Sequence, residues 1–255
     1  MKIAVSGKGG VGKTTVSANL ARLFAGDGFK VYAVDADPDA SLGSALGLDD
    51  ALLAALKPVS ELQEVIAARS GGGAMYTLNP KVDDILDDYS LTLEGIRFFR
   101  MGGVKQGGSA CYCRENTFLH ALVGSLLLDR QDVVVLDMGA GIEHLTRGTA
   151  KGVDVMLVVT EPTKNSVNTA KVVQKLAGDL GIRAVKVVGN KIRGPEDEAF
   201  LRAAFAPDDI IGLLPFDEAV LEAARGGPSD MSGDSGPLGR AMRAIYSQFA
   251  NKKSK

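Results

Sequence analysis

The sequence predicts an α/β fold in which a mostly parallel sheet is covered by helices on both faces. Two observations point to it. Short β-branched runs recur at KIAV (2–5), KVYAVDAD (30–37), IRFFRM (96–101), DVVVLDM (132–138), DVMLVVT (154–160) and AVKVVGN (184–190). These runs are apolar on both faces rather than alternating, as expected of strands buried on both sides. Longer stretches of helical pattern separate most of them, at 14–26, 60–69, 114–129, 163–178 and 196–205. Strands that alternate with helices imply crossover connections and therefore parallel pairing. The whole of 1–255 reads as one domain, a length at which α/β proteins often stay undivided.

Composition narrows the function classes. A net charge of −2 with both signs mixed offers no electrostatic footprint for nucleic acid. No run reaches the 18 or more apolar residues of a membrane span, and the N-terminal MKIAVSGKGG has too short an apolar stretch for a secretory signal. With only two cysteines a disulfide framework is excluded, so a reducing cytoplasm is the expected location. Glycine contributes 31 of 255 residues and gathers in particular loops, which points to close backbone approach to a ligand.

In open sheets of this kind ligands bind where the strands end. The first strand runs into GKGGVGKTT (7–15), which satisfies the G-x-x-x-x-G-K-[ST] phosphate loop with a strand before and a helix after. This context makes the predicted fold that of a P-loop NTPase. The backbone N–H groups of Gly7, Gly9, Gly10, Val11 and Gly12 are expected to turn inward around phosphate oxygens, aided by the positive N-terminal end of the helix. Lys13 is expected to reach the β- and γ-phosphates, the Thr14 hydroxyl to ligate Mg²⁺, and Thr15 to hold the α-phosphate.

Lys8 gives the loop the form K-G-G-x-G-K-T. That variant resembles the deviant phosphate loop of ATPases related to the nitrogenase iron protein, MinD and the arsenite pump ATPases. The resemblance implies a homodimer that sandwiches ATP, with Lys8 reaching the partner's nucleotide as an arginine finger would. The second strand ends in VDADPDASLG (34–43). Asp37 there matches the switch I aspartate that orients the attacking water in these relatives, and Pro38 fixes the chain's exit. Asp35 and Asp39 are weaker candidates, because acids after a strand also form turns and caps. In VVVLDMGAG (133–141) Asp137 reads as the Walker B acid, held near Mg²⁺ through water, with Gly139 and Gly141 as pivots of switch II. His144 is expected on the following helix, as an ordinary polar helix residue rather than a site group. Asn190 and Pro215, in GNK and GLLPFDE, match positions on either side of adenine in the relatives.

Cys111 and Cys113 stand one residue apart in GGSACYCREN (107–116). A Cys-x-Cys disulfide would be strained, so metal ligation is the better reading. Two thiolates make only half of a four-ligand site, and the chain has just two histidines, His120 and His144, to complete it. Two-fold symmetry supplies another completion, in which the pairs of both subunits build a shared Cys₄ site for Ni²⁺ or Zn²⁺.

Over its full length the chain resembles the CooC-type nickel-insertion ATPases of carbon monoxide dehydrogenase maturation. The motifs that carry this are GKGGVGKTT, DADPDASLG, NPKVDD (79–84), GGSACYCREN, LDMGAGIEHLTRGTA (136–150), EPT (161–163) and GNK. The resemblance implies ATP-driven dimerisation and nickel delivery to the Ni–Fe–S active site of carbon monoxide dehydrogenase as client. Acetyl-CoA synthase maturation factors are near relatives of that family. An electron-donating iron protein would need a cysteine soon after the Walker B acid, where DMGAGIEHL has none. The alternative is a MinD- or ParA-like positioning ATPase acting on membrane or DNA. Its one support is the last helix, whose Leu238, Met242, Ile245 and Phe249 form a stripe ahead of a basic NKKSK tail. Such a stripe more often packs on a sheet, so neither a membrane nor a nucleic acid partner is expected.

Overall fold

The computed structural model describes residues 1–37, 39–70, 85–102, 112–126, 132–142, 144–224 and 236–250. In chain order the elements are β1 (Lys2–Gly7), α1 (Lys13–Gly26), β2 (Val31–Ala36), α2 (Leu42–Ala45), α3 (Asp50–Ala55), α4 (Gln63–Ser70), α5 (Ile85–Asp88), β3 (Leu91–Leu93), β4 (Ile96–Arg100), α6 (Tyr112–Gly124), β5 (Val133–Met138), α7 (Arg147–Ala150), β6 (Val155–Thr160), α8 (Lys164–Leu180), β7 (Val185–Ile192), α9 (Pro195–Ala204), β8 (Ile210–Pro215), α10 (Glu218–Ala224) and α11 (Gly236–Ala250). The strands form one sheet in the order β3-β4-β2-β5-β1-β6-β7-β8. All pairings are parallel except β3 with β4, a hairpin closed by Glu94 and Gly95. Both of those residues have positive φ, 46° and 83°, as a two-residue loop that matches strand twist requires.

Alternate residues of each strand feed opposite faces. Ile3 and Val5 join the core beneath α1 and α11, whereas Ala4 joins the core beneath α6 and α8. The expected stripe of α11 is used inside this fold, with Leu238, Met242, Ile245 and Phe249 all buried against the sheet. It packs on β8 at Gly212, where any Cβ would meet the Ile245 side chain. The apolar face that could have suggested membrane attachment is therefore spent on the core. Among the described residues no helix is long and apolar enough to cross a membrane.

Two strands escape the sequence reading. β3 is only three residues long, and IIGLLP (210–215) is interrupted by the glycine that α11 requires. Helix limits also shift. A 3₁₀ turn at Val59–Glu61 precedes α4, which replaces the expected helix at 60–69, and α6 begins at Tyr112, two residues before the expected start of the helix at 114–129, of which 127–129 lie outside the described residues. Thr163 is the N-cap of α8 rather than its first residue, its side chain accepting from Ser166 N at 3.3 Å.

Candidate functional site

Chain order places β1 at the centre of the sheet, between β5 and β6. Connections leave this point in both directions, which opens the crevice where α/β sheets bind ligands. Residues 7–15 turn there from β1 into α1. Gly12 is the residue before the helix, at φ 95°, and the side-chain amide of Asn190 lies where its Cβ would be. Only glycine satisfies both the left-handed backbone and the close approach.

Lys13 and Asp37 meet directly. Lys13 Nζ lies 3.1 Å from Asp37 Oδ2 and 3.5 Å from the Lys8 carbonyl, with both charged side chains nearly buried. Thr14 Oγ1 is 3.0 Å from Ser41 Oγ, linking the phosphate loop to the start of α2. On the other side, the Ser6 hydroxyl donates to the Gly139 carbonyl at 2.9 Å, which joins β1 to the loop after β5. Pro38 lies outside the described residues.

Asp137 is fully buried at the end of β5. Ser17 Oγ donates to its Oδ1 at 3.1 Å, and its Oδ2 has no hydrogen-bond partner among the described residues. Burial pushes this carboxyl up to about 7, and the nearby charge of Asp35 adds to the effect. Parallel register sets Asp35 of β2 directly beside Asp137. Asp35 accepts from Leu42 N at 3.0 Å and Asp37 N at 3.3 Å, yet desolvation still raises it to about 6. Asp35, a weaker candidate by sequence, is thus the organiser of the Asp37 loop. This buried carboxylate, interacting with the Thr14 hydroxyl and keeping one oxygen outside the hydrogen bonds of the described residues, offers the hard oxygen donor set that suits Mg²⁺.

Toward the sheet edge, a pocket of about 240 Å³ is lined by Gly12, Thr15, Asn190, Pro215, Phe216 and Leu238 among others. Its size and apolar walls fit a planar base. Arg193 stacks its guanidinium 3.8 Å from the Phe216 ring centroid. Asn190 Nδ2 donates to the Val11 carbonyl at 2.8 Å, so this side chain holds the phosphate loop as well as lining the pocket.

His144 is not on a helix. It sits in the loop before α7, is buried, and its backbone hydrogen-bonds the His120 side chain of α6. Burial lowers the His120 pKa. Cys113 lies in the first turn of α6, while Cys111 and the side chain of Cys113 fall outside the described residues, as does NPKVDD (79–84).

The fold and this rim of lysine, hydroxyls and carboxylates define a P-loop nucleotide-binding protein. Residues 2–228 match the profile of the CobQ/CobB/MinD/ParA nucleotide binding domain, and the chain belongs to that family of ATPases. The carbon monoxide dehydrogenase accessory protein CooC of Rhodospirillum rubrum is 41% identical over 90% of this chain and 89% of its own, in line with the resemblance read from the motifs. An uncharacterised ATP-binding protein of Methanocaldococcus jannaschii is 42% identical over 88% of each chain. Among solved structures, the septum site-determining protein MinD of Pyrococcus horikoshii in complex with Mg-ADP has the same fold, with a TM-score of 0.67, 20% identity and coverage of 99% and 98%.

Proposed function

We propose that the protein is an ATP-dependent metallochaperone that promotes nickel insertion into the Ni–Fe–S active site of carbon monoxide dehydrogenase. One observation carries the reading: an intact set of Lys13, Thr14, Asp37 and Asp137 converges at one strand-end crevice, in a chain 41% identical to a dehydrogenase accessory protein. In this reading ATP is cradled by the backbone of Gly7–Thr15 with its base in the pocket beside Asn190 and Pro215. Mg²⁺ is held by Thr14 directly and by Asp137 through water, where it would screen the phosphate charge. Lys13 clamps the terminal phosphates, and an arriving phosphate competes with Asp37 for Lys13. The competition frees Asp37 to orient the attacking water. Lys8, half-buried at the rim, crosses to the partner's nucleotide and makes hydrolysis depend on dimerisation.

The cargo ion, Ni²⁺ or Zn²⁺, is held by Cys111 and Cys113 of both subunits. The contact between His120 and the His144 backbone supports a route between the two sites. It ties α6, which carries Cys113, to the loop that follows Asp137. A hydrolysis step that shifts this loop then pulls on the helix at the thiolate pair.

Equilibrium dialysis against Ni²⁺ tests the whole reading, with ADP or a non-hydrolysable ATP analogue present. One ion per dimer is expected, lost in Cys111→Ala and in Cys113→Ala, with ATP binding intact in both. One ion per monomer, or full binding in the single variants, would break the link between dimer and metal. Dehydrogenase produced with and without the protein should differ in nickel content.

A further inference from the structure

The motifs GNK and EPT leave two residues without a role in the hydrolysis cycle, Lys191 and Glu161. Lys191 is the residue after Asn190 at the end of β7. Its Nζ donates to the Gly10 carbonyl at 2.6 Å and lies 3.2 Å from Glu161 Oε2. Asn190 Nδ2 meanwhile donates to the Val11 carbonyl at 2.8 Å, and Asn190 Oδ1 accepts from Lys191 N at 2.8 Å. Two consecutive residues of one strand end therefore grip two consecutive carbonyls of the phosphate loop.

The peptide plane gives this grip a consequence. In a trans peptide the C=O and the following N–H point in opposite directions. Holding Gly10 O from outside aims Val11 N–H inward, and holding Val11 O does the same for Gly12 N–H. Among the described residues the contact that competes for Val11 N is a long one, 3.4 Å to Lys8 O. An anion cradle needs these donors turned inward before the phosphate arrives, because turning them on arrival costs affinity.

β7 is irregular where it carries this grip. Lys191 stands at φ 60°, unusual for a residue other than glycine, and the pairing of β7 with β8 shifts register between Gly189 and Ile192. Local backbone strain and a bulge of this kind mark places where geometry serves a site. Glu161, held by its own N–H to Ser166 Oγ at 3.1 Å, supplies the counter-charge that keeps the ammonium over the loop.

We infer that Lys191, acting with Asn190, is a positioning residue: although it also lines the pocket assigned to the base, it serves nucleotide binding by pre-setting the phosphate cradle through the Gly10 carbonyl. The inference rests on the reading of residues 7–15 as the phosphate site. Inorganic triphosphate, which has no base, isolates the effect, and isothermal calorimetry on the full chain measures it beside ATP.

Loss of one charged hydrogen bond predicts that Lys191→Met weakens ATP and inorganic triphosphate by the same factor, roughly tenfold. Lys191→Arg, which can still donate to the carbonyl, restores both. The cradle is set equally in the ground and transition states, so KM for ATP rises while kcat holds. A loss confined to ATP would mean that Lys191 serves the base and would overturn the inference, as would unchanged triphosphate binding or no recovery with arginine. Lys13→Ala separates the two levels. If Lys13→Ala leaves triphosphate bound, the phosphate-site reading itself fails. If it abolishes binding while Lys191→Met does nothing, only the brace fails.

Discussion

Asp137→Asn should make the protein more stable at pH 8 and less stable at pH 4. The wild-type carboxyl is raised from its ordinary 3.8 to about 7, mainly by burial. Because its folded value exceeds its unfolded one, the native state binds more protons between these limits. Stability is then greatest below about pH 4 and falls as pH rises toward about 7. A displacement of this size corresponds to roughly 4 kcal/mol of destabilisation at pH 8. Asparagine removes that cost and keeps the acceptor for Ser17 Oγ, but its amide N–H groups arrive where Asp137 Oδ2 now has no partner among the described residues. An unsatisfied buried donor costs about 2 kcal/mol.

The balance is a gain of about 2 kcal/mol at pH 8, a crossover near pH 5 and a deficit of about 1–2 kcal/mol at pH 4. For 255 residues the unfolding entropy makes the pH 8 gain worth about 4 °C in Tm. Differential scanning calorimetry across this pH range, with no nucleotide or Mg²⁺ added, reads the effect. A difference that does not change with pH, or a variant less stable at pH 8, would refute the assignment of Asp137 as a carboxylate held ionised against its surroundings. Asp35 sits beside Asp137, and its charge is already part of what raises the Asp137 carboxyl.

Three further outcomes follow from the charged rim. Lys13→Ala should lose ATPase turnover and weaken ATP binding, read by calorimetry and phosphate release. Asp37→Ala should lose turnover while binding ATP at least as tightly as wild type, because Asp37 pairs with Lys13 at 3.1 Å and competes with phosphate for it; weaker binding would remove Asp37 from that competition. Lys8→Ala should bind ATP as a monomer yet form no dimer with a non-hydrolysable analogue in size-exclusion chromatography, and a normal dimer there would make Lys8 a surface cation.

Much of this site is legible in the sequence because its parts are contiguous or strand-terminal. GKGGVGKTT is a local motif whose letters, strand and helix lie within a few residues, and Asp37 and Asp137 follow apolar runs that could only be strands. Asp35 looks minor in the sequence for a different reason. Its importance comes from register, since pairing of β2 with β5 sets it beside Asp137, about a hundred residues away in sequence. The grip of Asn190 and Lys191 on the phosphate loop is equally hidden, because nothing local says that β7 lies two strands from β1 with only β6 between. Strand β8 escapes notice where Gly212 breaks the β pattern, and that glycine answers to Ile245 on α11. His144 reads as a helix residue because GIEHLTRGTA has helical spacing, but Thr146 caps α7 and delays the helix until Arg147.

The same buried carboxylate should make the affinity for Mg²⁺-nucleotide depend on pH. A metal ion held near Asp137 favours its ionised form, so below about pH 7 a proton must leave before the ion is accommodated. Affinity should then fall as pH drops, approaching tenfold for each pH step well below that value. The phosphate oxygens of the nucleotide also take up protons near pH 6, which would produce a slope in any protein. Asp137→Asn separates the two sources, because the variant keeps the nucleotide's own protonation and loses that of the protein. Calorimetric titration with Mg·ADP at pH 7.5 and pH 6 should show a decline close to tenfold larger in wild type than in the variant. Equal declines would mean that Asp137 does not exchange its proton for the ion, and would move the metal's support to the Thr14 hydroxyl and the phosphates alone.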